Sequence, residues 1–305
     1  MSLGPADSYA IVKGPSGMNK ISVLDTIRSA YAFTFGQIGT IIGLVWLPTL
    51  LLAVLQFLPY AIGTSPPSPD ADPGAAGTAV MLNFAFFAGG AVLTSMNYVS
   101  VTRQALGMRE GPATIHFSLG LPEWRMLASL FLCVVLLVTI IGLFAGAVLL
   151  LSAFLHAMPF AAMCMAILTL AGMCGFVYIV VRLVFLIAPV VVAEEKIDLV
   201  RAWTLTAKNF WRIFAVMLCV ILPFIILQIV ALALIAGPDF FAHLPPNMAS
   251  AATVFAQRLQ ALDRHMPAII GLSLVLAPFS LGLNLGAEAA VYRALVPAKG
   301  QMRAG

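Results

Sequence analysis

Long apolar runs alternate with short polar stretches along this chain, and the runs set its architecture. Six of them carry few charges: roughly 38–62, 79–103, 127–155, 158–187, 211–236 and 267–293. At 1.5 Å per helical residue, each can cross a hydrocarbon core about 30 Å thick. Inside lipid every backbone group needs a partner within its own segment, so such runs predict transmembrane helices. The expected fold class is all-α, a polytopic membrane protein with six transmembrane helices. The first 37 residues are polar or mixed. The apolar run that follows them is a full span rather than the short core of a signal peptide, so the first span is expected to be retained.

The polar stretches add an orientation. Fourteen of the 16 Lys and Arg residues fall in the N-terminus, the 103–126 loop, the 182–212 loop and the C-terminus. The remaining two, Arg258 and Arg264, lie in the loops of the other side. This bias places both termini in the cytoplasm. Trp124, Trp203 and Trp211 fall near the basic interface, where an indole can bury its ring and keep its N–H wet. The segment 195–211 predicts an amphipathic helix lying in that interface, with Ile197, Val200, Trp203/Thr204, Ala207 and Phe210/Trp211 on its apolar side. On the opposite side, 63–78 reads as a Pro/Gly-rich loop, and 247–264 as a second surface helix.

The pattern also repeats. LDTIRSAYAFTFGQI (24–38) resembles IDLVRAWTLTAKNFWRI (197–213) with a two-residue difference in length, and LPEWRML (121–127) echoes the Trp211-Arg212 pair. The even-numbered spans end alike, with Val, one residue, then Arg at Arg103, Arg182 and Arg293. We read three tandem helical-hairpin repeats, roughly 18–110, 113–193 and 194–298, each opening with a cytoplasmic interfacial helix. Two spans per unit make this a parallel repeat, unlike the inverted repeats of many transporters. Residues 1–17 form a flexible cytoplasmic N-terminus, 18–298 a single membrane domain and 299–305 a tail. Gly39/Gly43, Gly142/Gly146, Ala171/Gly175 and Gly282/Gly286 are candidate helix-packing seams. Pro48, Pro223 and Pro278 are candidate kinks.

Composition agrees with the membrane class: 62% of residues are hydrophobic and 9% charged, against about 25% charged in soluble domains. Mean hydropathy is +1.04. The net charge of +4 does not predict a nucleic-acid partner, because the cations sit at membrane interfaces. Cys133, Cys164, Cys174 and Cys219 lie in apolar runs without ligand spacing and read as buried small hydrophobes. No cofactor, metal or catalytic motif is found, and the four histidines are scattered. Charges near the membrane carry what chemistry there is. Arg103, Arg182 and Arg293 either snorkel to phosphates or converge on an anion or phospholipid headgroup site, with Arg201 and Arg212 nearby and Glu288 as a charge partner. Of the few polar residues within the spans, Asn97 and Asn284 are candidates for hydrogen bonds between helices.

The stretch VRLVFLIAPVVVAEEKIDLVRAWTLTAKNFWRI (181–213) resembles the signature of the bacterial glycerophosphoryl diester phosphodiesterase membrane domain. The matching residues are Arg182, Pro189, Glu194, Arg201, Trp203, Leu205, Thr206, Asn209, Phe210, Trp211 and Arg212. The resemblance implies a six-span membrane domain. It does not imply the phosphodiesterase activity, since that belongs to a soluble barrel whose residues have no counterpart in this sequence. The expected function is a non-catalytic membrane scaffold or lipid-interacting module, whose partners would be membrane phospholipids or another membrane protein. The alternative is a transporter or permease component.

Overall fold

The structure is a computed structural model that describes residues 21–62, 73–109, 118–155, 160–237 and 265–296. The described residues are mostly helical, without strands, in the order α1 (Val23–Gly36), α2 (Ile38–Ile62), α3 (Pro73–Leu106), α4 (Leu121–Leu155), α5 (Ala161–Leu183), α6 (Ile187–Glu194), α7 (Leu199–Thr206), α8 (Phe210–Ala236) and α9 (Met266–Leu295). Six segments are long and apolar enough to cross a membrane: α2, α3, α4, α5 with α6, α8 and α9. The surface helix expected over 247–264 and the two terminal segments lie outside the described residues. Of the expected 63–78 loop, residues 73–78 instead begin α3.

The short helices sit where their caps and small residues allow. α1 begins at Ser22, whose side chain accepts from the Asp25 N–H. Its buried stripe is Thr26, Ala30 and Thr34, one residue in four, which lays a single face along a neighbour. That neighbour is α9. A Cβ at Gly282 would come within 2.9 Å of Thr34 Cγ2, and one at Gly286 within 2.8 Å of Phe33 Cδ1. Only glycine lets the two backbones approach this closely. Gly39, Gly142, Gly146 and Gly175, by contrast, have open space where a Cβ would stand, so they are not seams within this chain. In α5 the tight glycine is Gly172, where a Cβ would overlap the Phe144 ring of α4.

α7 is shorter than the 195–211 helix expected. Asp198 caps it by accepting from the Arg201 N–H at 2.8 Å, and a turn over Ala207–Asn209 separates it from α8. It seats on α5 through Ala202 and Thr206. Ile197, Val200 and Trp211 point outward instead. The expected face therefore mixed two environments, a protein-facing stripe and a lipid-facing one.

A break between α5 and α6 interrupts the fourth span. Pro189 has no N–H to donate to the carbonyl four residues back, which weakens the helix at the break, although α8 and α9 run on through Pro223 and Pro278. Placed third in α6, it falls where helical N–H groups have no intrahelical partner anyway. α6 is almost wholly enclosed, Ile187 to Val192 all being buried, and it contacts α3, α4, α7 and α9. It ends at Glu195, whose φ of 53° is the positive value found among described non-glycine residues.

α9 is the hub, packing against α1, α2, α3, α6 and α8. The odd-numbered spans bury residues at matching intervals: Ile41, Leu44 and Pro48 in α2, Met126, Ser129 and Cys133 in α4, and Ile213, Val216 and Val220 in α8. Of the four cysteines, only Cys133 is buried; Cys174 and Cys219 are exposed on span surfaces, so for these two the expectation of burial fails.

Candidate functional site

Arg182, at the end of α5, is buried among protein groups. Its Nη1 donates to Tyr178 Oη at 2.7 Å and its Nη2 to the Trp203 carbonyl at 2.8 Å. The guanidinium lies 3.9 Å from the Trp203 ring centroid and 5.4 Å from that of Tyr178. In return, Thr206 Oγ1 donates to the Arg182 carbonyl at 3.1 Å. Desolvated stacking of this kind contributes about 2 kcal/mol, and each charged hydrogen bond about 1.5–3 kcal/mol. Arg182 thus fastens α7 to α5. Its two terminal nitrogens are engaged by phenol and carbonyl against the indole, while its Nε is buried without a hydrogen-bond partner.

Arg293 crosses from α9 to α3, donating from Nη2 to the Ala105 carbonyl at 2.8 Å. That carbonyl belongs to the last turn of α3, two residues past Arg103, where the helix dipole favours a cation. The structure thus places two of the three repeat-end arginines at one helix pair and turns the third towards α7. A further arginine, not singled out from the sequence, joins them. Arg109 is half-buried just past the end of α3, with an Nε that has no hydrogen-bond partner. Burial lowers its pKa, and the neighbouring Arg103 charge lowers it further. The signal was present in the sequence as a second arginine six residues after the first, past a glycine stop at Gly107.

Arg201 donates from Nε to Glu194 Oε1 at 3.1 Å, and Arg212 donates from Nη1 to the Ile21 carbonyl at 2.6 Å, which ties the start of α8 to the start of α1. Arg125 pairs with Glu195 at 3.5 Å. Trp124 and Trp211, each followed by an arginine, are exposed, whereas Trp203 is packed under Arg182.

Glu288 lies in α9 with Oε2 shielded from solvent and without a hydrogen-bond partner. The residue within electrostatic reach is Tyr98 of α3. Nearby on α3, the Asn97 amide donates to Thr49 Oγ1 of α2 at 3.2 Å, the interhelical bond expected of that residue. Asn97 Oδ1 and Thr102 Oγ1 are buried without partners. Gln104 donates to Gln37 at 2.9 Å, a pairing the sequence did not announce.

Six apolar crossings with basic groups gathered at span ends define a polytopic α-helical membrane protein. Comparison of the chain with family models, curated proteins and solved structures finds no match. Among the described residues no group of His, Cys, Asp and Glu is arranged to hold a metal ion.

Proposed function

We propose that this chain is a non-catalytic membrane module that engages anionic phospholipid headgroups at its basic face, in the manner of a scaffold. The observation that carries this reading is the arginine group at the ends of α3 and α9. Arg103 and Arg109 stand close enough to repel, and the Arg109 Nε–H lacks an acceptor. A phosphate would satisfy that donor and screen the repulsion. Exposed Lys208, Arg212, Trp124 and Trp211 supply a surrounding interfacial belt. The reading includes a cytoplasmic basic face in a bacterial inner membrane, three tandem hairpin repeats, and kinship with the glycerophosphoryl diester phosphodiesterase membrane domain. The matched burial intervals of α2, α4 and α8 support the repeat.

The test is native mass spectrometry of protein released from nanodiscs of mixed anionic and zwitterionic lipid. Wild type is expected to retain anionic phospholipid, Arg109→Ala to lose most of it, and Arg182→Ala to retain it while becoming less stable. Equal retention by wild type and Arg109→Ala would overturn the site. A second reading, a transporter or permease component, is favoured by one observation: the unpartnered polar atoms of Asn97, Thr102 and Glu288 on α3 and α9.

A further inference from the structure

We propose that Glu288 is a proton-binding site within the membrane domain, and that it exchanges its proton with the basic interface through Tyr292 and Glu194. The inference stands apart from the lipid reading, because none of its groups belongs to the arginine cluster.

The argument begins with what surrounds the carboxyl. Glu288 is half-buried, but its Oε2 is shielded from solvent and receives no donor, and an ionised oxygen so placed needs one. Every element packed against α9 bears on this. α1 approaches through Gly282 and Gly286, and Gly286 is about 200° around the helix from Glu288; its Asp25 and Arg28 are exposed. α2 carries no Asp, Glu, Lys, Arg or His. α8 offers Arg212, which is engaged on the Ile21 carbonyl. α3 presents Tyr98, a neutral phenol, with Arg103 near its end and Arg293 of α9 directed to the Ala105 carbonyl. α6 presents Glu194. No element therefore brings a cation against Oε2. Binding one proton neutralises the carboxylate and turns an orphan acceptor into a hydroxyl donor.

The route outward follows one face of α9. Tyr292 is four residues beyond Glu288, so the two side chains rise from one face with Cβ atoms roughly 6 Å apart. The Tyr292 hydroxyl donates to Glu194 Oε1 at 3.2 Å, and the same oxygen accepts from Arg201 Nε at 3.1 Å. Tyr292, 7% exposed, is more enclosed than Glu288; beyond it exposure rises, the side chains of Glu194 and Arg201 being 26% and 42% exposed. α3, α6 and α9 contact one another, so the series runs along a three-helix seam. The ligand is a proton delivered from water at the basic side.

Two readouts on the full chain in liposomes test this. Dicyclohexylcarbodiimide enters lipid and adds intact to protonated carboxyls, so peptide mapping of wild type should find the adduct on Glu288. Labelling should decline as the pH is raised, and Glu288→Gln should abolish it. Infrared spectroscopy should show a protonated-acid carbonyl band that Glu288→Gln lacks. The shift of that band in heavy water should slow several-fold in Tyr292→Phe. An unlabelled Glu288 in wild type, which requires no variant, overturns the site. An unchanged isotope shift in a monodisperse Tyr292→Phe protein overturns the route.

Discussion

At the scale of single residues, Arg182 and Glu195 make opposite predictions. Arg182→Ala removes a stacked cation and two charged hydrogen bonds and leaves the Tyr178 and Trp203 acceptors bare. It should lower unfolding free energy by about 3 kcal/mol or more, measured by denaturant titration in detergent micelles. Arg182→Lys should recover only part of that, since an ammonium cannot stack and reach both acceptors as the planar fork does. Glu195 holds a left-handed backbone, a conformation that costs an L side chain roughly 1–2 kcal/mol. Its pairing with Arg125 is exposed and worth about 0–1 kcal/mol. Glu195→Gly should therefore leave thermal stability unchanged or raise it slightly. The guanidinium positions were legible in the sequence, but their targets were not. A Val-x-Arg ending says that a cation stands at an interface; whether it meets a phosphate or a tryptophan depends on which helix the fold lays beside it.

At the scale of elements, the six crossings could be read from apolar run length alone, because lipid imposes that length on each run. The break before α6 was less evident. The 158–187 run and the residues after it are uniformly apolar, and hydropathy cannot separate a helix in lipid from one enclosed by protein. Pro189 was the available signal. The interfacial helices show a related limit. Asp25 and Asp198 look equivalent in sequence, yet Asp198 caps α7 while Ser22 caps α1. The buried positions instead align Ala30 with Ala202 and Thr34 with Thr206, a register without the two-residue gap. α1 depends on its glycine seat. Gly286→Val should push Phe33 and α1 away at a cost of about 1–3 kcal/mol. Amide hydrogen exchange should quicken across 23–36, while α7 remains protected.

At the scale of the whole molecule, the arrangement is asymmetric despite the repeating sequence. α9 gathers contacts from five other helices, whereas much of α4 and α8 is open to lipid. Overpacking at Gly172, on the α4/α5 side, should therefore disturb those two helices and spare the α3/α9 seam. Gly172→Leu should leave the carbodiimide labelling of Glu288 intact, which the same mass-spectrometric map can check. The sequence did not announce which helix would be central, because small residues such as Ala287, Ala289 and Ala290 carry little pattern of their own.

The central position of α9 bears on biogenesis. Of the described helices the ribosome delivers this one last, yet α1, α2, α3, α6 and α8 all rest on it. Until it arrives, the faces of those five helices that pack against it stay uncovered in the bilayer. A nascent chain stalled before residue 266 would keep the membrane segments and lack their keystone. Such a chain should be a good substrate for membrane proteases, and pulse-chase turnover of a 1–265 fragment against the full chain would measure it.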